Sequence, residues 1–278
     1  MAATLATLDA GDRDQSAAER LRAGATYGRL CGLQARYEAT RRMLDAEGFA
    51  VLWEKDGGRL EIKMDASHRE FDYRLTVDMP NTLGEVMAQN EEADLSQKAQ
   101  PMLAEPVSYF GNPSCWHKYF IIKLNIAIFR VELIQEVIRF RDYEHGVLLE
   151  AISSGFDHRG LDIPEKSGWR TIRPQTQVAN LFAPNASGGV TMTQVTHVDV
   201  GVTVPSRILN FVLWTLAGLF VDGVRKAASR ASSPGSPWEE RIRVDANGFY
   251  KEMDRLQEAR LKAKQPWDMS LLRKAWSR

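Results

Sequence analysis

The sequence predicts an α+β fold, an antiparallel sheet with helices segregated against it. Three observations carry this reading. Period-two segments are punctuated by Asp-Gly-Gly at 56–58 and by PNASGG at 184–189, which marks strands joined by hairpins. A stretch rich in Ala, Arg, Glu and Leu, residues 15–47, has helical spacing. The segment VDVGVTVPSRILNFVLWTLAGLF, residues 198–220, changes period partway: apolar residues alternate up to Val204 and run almost continuously from Ile208 to Val221. A strand that feeds straight into a greasy helix reads this way.

Each element follows in order. Leu30, Leu33, Tyr37, Met43 and Leu44 recur at helical spacing, and Gly48 sits where a C-terminal cap belongs, so the chain opens with a long helix. FAVLWEK and RLEIKMD flank Asp56-Gly57-Gly58, where Gly accepts the positive φ of a tight hairpin. A third strand covers 70–79 and ends at Pro80, and residues 81–99 read as one or two short helices. The segment 115–141 is β-prone and is split into two strands; DYEHG is a turn and VLLEAIS another strand. Residues 154–168 form a loop long enough to suggest a role. Strands at 169–182 and 190–204 flank PNASGG, and Pro205 opens the apolar helix where its missing N–H is harmless. SSPGSP, 232–237, reads as a linker, and ANGFYKEMDRLQEARLKAK as a charged helix. The expected division is a partly disordered or helical lead-in at 1–26, a folded domain at 27–230, and a linker with a charged helical extension at 231–278.

Composition narrows the function classes. Lys plus Arg equals Asp plus Glu at 36 each in 278 residues. This argues against nucleic acid as a partner, since phosphate binding needs an excess of Lys and Arg. Cys31 and Cys115 show no metal spacing and read as reduced thiols. The start lacks the basic and apolar regions of a secretory signal. The longest apolar run, 208–221, is shorter than the ~20 residues that span a bilayer. A cytoplasmic protein, peripheral at membranes, is expected; a removed transit sequence would move it to a plastid or other organelle.

Between Gly146 and Lys226 the sequence resembles the START family, lipid-transfer domains related to steroidogenic acute regulatory protein. The resemblance is carried by GVLLEAIS, the loop ending IPEKSGW, the hairpin centred on APNASGG, and MTQVTHVDVGVTVPSRILNFVL. That last segment joins a strand bearing an Asp, a Pro after the strand, and an apolar helix. Upstream the resemblance rests on the order of elements, and the family's Arg-Asp-Phe is replaced by Arg141-Asp142-Tyr143. It implies a helix-grip fold: a curved antiparallel sheet wrapped around a long C-terminal helix, enclosing a lipid-sized tunnel.

The strand 190–204 divides its side chains by period two. Val190, Met192, Gln194, Thr196, Val198, Val200, Val202 and Val204 share one face, which serves equally as core or as cavity wall. His197 and Asp199 share the other, where a strand-end hydrogen bond explains them better than catalysis. No GxSxG, HExxH or phosphate-loop pattern occurs, and no catalytic residue, metal or cofactor is expected. Charges interrupt the strands at Glu132, Glu136, Arg139, Glu150, Arg170 and Arg173. Most face water on a one-sided sheet; any that points inward must be paired, and would orient a lipid's polar end. On the apolar helix, Leu209, Val212, Leu213, Leu216, Leu219, Phe220 and Val224 form a sealing arc, with Phe211, Trp214 and Val221 on a mixed side.

The expected cavity lining is Val137, Arg139, Leu149, Arg173, Met192, Val198, Val200, Leu209, Val212, Leu213, Leu216 and Phe220. Phe156, Leu161 and Ile163 are expected to gate it, and Phe211 and Trp214 to touch a membrane transiently. The expected function is binding and transfer of one lipid or other hydrophobic small molecule. The rival readings are a helix-grip enzyme acting on a polyketide-like substrate and a non-catalytic interaction module whose cavity is filled.

Overall fold

Helix α1 (Ala25–Leu44) carries Arg41 and Arg42 in its last turn, where positive charge suits the helix dipole. Strands β1 (Ala50–Lys55) and β2 (Gly58–Met64) are joined by Asp56 and Gly57 at φ 50° and 70°, as a two-residue hairpin turn demands. Gly58 answers a different need. A Cβ there would lie 2.8 Å from a methyl carbon of Val221, so its absence lets the hairpin close on the helix behind it. β3 (Glu70–Met79) leads to α2 (Leu83–Glu91), whose Thr82 and Glu85 form a capping box. The computed structural model describes residues 25–65, 69–92, 95, 107–110, 113–126, 129–155, 160–166, 168, 171–185, 187–199 and 206–262.

The remaining strands are β4 (Ser108–Phe110), β5 (His117–Ile126), β6 (Phe129–Asp142), β7 (Val147–Ser153), β8 (Thr171–Ile172), β9 (Gln175–Pro184) and β10 (Val190–Asp199). Three further helices complete the described residues: α3 (Ser206–Ala231), α4 (Pro237–Val244) and α5 (Phe249–Lys262). The strands form a curved, unclosed sheet in the order β1-β2-β3-β10-β9-β7-β6-β5-β4, with neighbours antiparallel. β8 adds to β6 in parallel. Because β10 lies between β3 and β9, the two halves of the sheet meet only when the last strand arrives.

Period two then sorts the side chains between the two faces. On the convex face Ile138, Phe140, Val147, Leu149, Leu181 and Val195 bury against Leu33, Tyr37 and Leu44 of α1. On the concave face Leu75, Val77, Met79, Leu148, Phe182 and Met192 meet Ala217, Val221 and Ala228 of α3 and Leu83, Val86 and Met87 of α2. Trp238 of α4 and Phe249, Tyr250, Met253 and Leu256 of α5 enter the same cluster.

The structure departs here from the sequence reading. Residues 232–237, read as a linker, end as the N-terminus of α4: Ser236 accepts from the Glu239 N–H and Pro237 fills the first turn. The charged extension is part of the core, because Phe249, Met253 and Leu256 make a narrow apolar stripe beneath its charged face. α5 lies so close to the β6–β7 turn that a Cβ on Gly146 would meet the Arg260 backbone at 2.4 Å. Val221, assigned to the mixed side of α3, is 1% exposed, because the β1–β2 hairpin covers that side.

Candidate ligand cavity

The concave face is not filled along its whole length. Beyond the core lies a cavity of about 500 Å³, within the ~300–1,000 Å³ span of small-molecule sites. Alternate residues of β5, β6, β7, β9 and β10 line it, and the strand register aligns them in rows. In one row Arg139 faces Glu150, Glu150 faces Asn180, and Asn180 faces Gln194. The next row is Val137, Ile152, Val178 and Thr196. Ile122, Leu124, Val131 and Leu133 of the β5–β6 hairpin extend the apolar wall. On the other side of the polar row, Leu148, Phe182 and Met192 belong to the core. The polar row therefore crosses the cavity next to the core, where Phe182 and Met192 belong to both, and the other walls are mostly apolar.

That row is held by a buried charge quartet. Arg139, its side chain 1% exposed, donates from Nε to Glu150 Oε2 at 2.7 Å and from Nη1 to the Cys115 carbonyl at 2.6 Å and to Glu91. Lys118 Nζ donates to Glu91 Oε2 at 2.7 Å. Asn180 Nδ2 donates to Glu150 Oε1 at 2.8 Å. Two cations and two carboxylates cancel.

Burial alone would raise the Glu91 carboxyl, but Arg139 and Lys118 together hold it below the usual carboxylate range. Burial, then repulsion from Arg139, lowers Lys118 against the pull of Glu91. Burial also opposes the charge on Arg139, yet Glu150 and Glu91 outweigh it and raise this guanidinium above its ordinary value. The Cys115 thiol is pushed up to about 11 by burial and then by Glu91, which leaves it neutral and unreactive near pH 7. Among the described residues no cluster of His, Cys, Asp and Glu is arranged to hold a metal ion, and no helix is long and apolar enough to cross a membrane.

No family model and no curated protein matches the chain. Solved structures do. Human STARD10 superposes with a TM-score of 0.60 at 12% identity, over 79% of this chain and 86% of that one. Human StAR-related lipid transfer protein 5 gives 0.60 at 15% identity, over 72% and 98%. A STAR-related lipid transfer protein from Xanthomonas axonopodis, fragment 25–204, gives 0.55 at 14% identity, over 66% and 99%. The chain has the START fold. At these identities the likeness speaks for the helix-grip architecture, and the cavity must be argued from this chain's own residues.

Within the START fold, Val137, Arg139, Met192 and Val198 line the cavity. Leu213 packs against Ile62 and Phe71, the pair that Val198 also packs on. Two residues expected in the lining face the other way. Leu149 belongs to the convex cluster under α1, since β7 presents Glu150 and Ile152 inward. Arg173 pairs on the convex side with fully buried Glu132, Nε to Oε2 at 2.9 Å. The gate reading changes as well: Leu161 and Ile163 pack on Ile121 and Ile134, on the convex face and away from the cavity. Trp214 is 55% exposed. Phe156 and Val200 lie outside the described residues, as do the side chains of Leu209, Phe211, Val212, Leu216 and Phe220. His197 bonds Asp72 directly across the β10–β3 pair at 2.8 Å, a strand contact on the convex side.

Sequence reasoning omitted Lys118 and Asn180 from the site, put Gln194 on the inward face of its strand without naming it as lining, and left Glu150 undecided between water and the interior. The available signal was a polar residue inside an otherwise apolar strand, Glu150 in VLLEAI and Asn180 in VANLFA.

Proposed function

We propose that this chain binds one lipid-like molecule in the concave cavity and carries it between membranes. One observation carries the reading: the cavity has a row of paired polar groups beside the core and mostly apolar walls elsewhere. An amphiphile would seat its polar end against Arg139, Glu150 and Asn180 and lay its apolar body along Val137, Ile152, Val178 and Leu133. The drive is removal of apolar area from water, worth roughly 25 cal/mol per Å², and no covalent step is needed. Two of the START-fold structures above are named lipid transfer proteins, which supports the same reading. Trp214, exposed on α3, is suited to a passing contact with a membrane surface.

The test is mass spectrometry of an organic extract of the purified protein, paired with transfer of labelled lipid between vesicle populations. A near-stoichiometric lipid and protein-dependent transfer are expected. An empty extract together with no transfer above the spontaneous rate would overturn the proposal.

A further inference from the structure

Lys118 is the least completed member of the charge quartet. It alternates along β5 with Phe120, Ile122 and Leu124, and all of them line the cavity. Its ammonium lies 5.4 Å from the centroid of the Tyr109 ring, another part of the cavity wall. Nζ makes one hydrogen bond among the described residues, to Glu91 Oε2, so two of an ammonium's three N–H donors are left over.

The carboxylates are shared unevenly. Arg139 draws on both, through Nε to Glu150 and Nη1 to Glu91, and takes the Cys115 carbonyl as well. The second oxygen of Glu150 is taken by Asn180. Lys118 has Glu91 alone, at the same oxygen that Arg139 uses. Burial opposes both positive charges, yet the carboxylates prevail at Arg139, whose guanidinium is raised. At Lys118 burial and then repulsion from Arg139 prevail, and the amine is lowered. A buried cation needs both a counter-charge and its hydrogen bonds. A neutral acceptor supplies only the bonds. An anionic oxygen supplies both, in a charge-assisted bond roughly twice as strong.

Resting on the lipid-carrier reading, we infer that the ligand's polar end carries an anionic oxygen, from a carboxylate or a phosphate, that accepts from Lys118 Nζ. A free fatty acid and a phospholipid share this chemistry; a long-chain alcohol lacks the charge. Lys118 is then a specificity-determining residue, and Glu91 holds its ammonium in place.

The experiment titrates the full chain with a pyrene-labelled fatty acid, the fatty alcohol of equal length with the same label, and pyrene-labelled phosphatidylcholine. The acid, the phospholipid or both should bind about 10- to 100-fold more tightly than the alcohol, as expected for a charged hydrogen bond. Which one does so identifies the source of the oxygen. In Lys118→Met that advantage should vanish. It should vanish also in Lys118→Met/Glu91→Gln, which removes both partners and leaves Arg139 its bond to Glu150. An alcohol that binds as tightly as the acid and the phospholipid would overturn this inference and leave the carrier reading standing. So would an advantage that persists in either variant in its folded form. If no probe binds, the organic extract decides. A bound lipid with a carboxylate or phosphate supports the inference, and one with neither overturns it alone. An empty extract with no transfer removes the carrier reading and this inference with it.

Discussion

On β6, Ile138 and Phe140 turn to the convex face while Val137 and Arg139, their immediate neighbours, turn to the concave one. On β7, Leu149 and Glu150 divide in the same way. The same strands thus build a dense apolar layer under α1 and, one residue along, the wall of a cavity. The difference shows where the molecule keeps its stability and where it forgoes contact. The convex layer and the cluster around α2, α3 and α5 hold the fold. The cavity on the concave face beside that cluster is left open, and paired charges hold its polar row in shape.

The sharpest way to break this comparison is to remove the central cation. Arg139→Met leaves Glu91 and Glu150 buried without their main partner and should cost ~3–5 kcal/mol in urea unfolding. The double change Arg139→Met/Glu150→Met should be less damaging than Arg139→Met alone. Additive losses would mean that the quartet is not a coupled unit.

Next comes a matched pair on β7. Leu149→Ala, in the filled layer, should cost ~2–5 kcal/mol and leave the ligand affinity of the folded fraction unchanged. Ile152→Ala, bordering the cavity, should cost less, about 1–2 kcal/mol, because its side chain already lacks contacts on one side. It should alter ligand binding instead. Equal stability losses with no change in binding would show that the concave side packs as an ordinary core.

Acid should act on the concave side through Glu91. Its folded pKa lies below the unfolded value, so the stabilisation is present above the ordinary carboxylate range of about 4.3 and is lost as pH falls through the folded pKa. Urea midpoints measured from pH 6 downward should therefore fall more steeply for the wild type than for Glu91→Gln. Parallel curves would remove Glu91 from the balance.

The smallest effect on the fold should come from Trp214→Ala, within about 0.5 kcal/mol, since this side chain is mostly in water. Its effect should appear in vesicle sedimentation, about five- to tenfold weaker if the indole is partly buried in lipid. Unchanged sedimentation would leave Trp214 as an ordinary surface residue.

Much of this architecture was readable because its signals are local. Asp56-Gly57-Gly58 predicts its hairpin from φ requirements alone, and the period change around Pro205 places a strand before a buried helix. The sorting of Met192 and Val198 to one side of β10 follows from alternation. What stayed hidden depends on register. Arg139, Glu150, Asn180 and Gln194 are far apart in sequence and form a row only because the turns between their strands fix the pairing. In VLLEAIS both faces are apolar, so alternation carries no phase and Leu149 could not be told from an inward residue. Leu161 and Ile163 lie in a loop, where no period exists to say which face they cover. α5 was misjudged for another reason: its charges dominate composition, although Phe249, Met253 and Leu256 carried the helical spacing of a buried stripe.

The placement of α5 also affects how the chain is made. Met253 and Leu256 are fully buried beside α2, and the Leu83 N–H donates to Gln257 Oε1 across 174 positions of sequence. At ~5–20 residues per second, a ribosome that has just released α2 needs roughly 9–35 s to deliver its partner. Throughout that time Leu83, Val86 and Met87 lack the part of their cover that α5 supplies in the finished protein. A nascent chain in this state is a natural client for chaperones. A polypeptide ending at residue 230 would keep the cover of α3 and never gain that of α4 and α5, leaving part of this inner layer open to water.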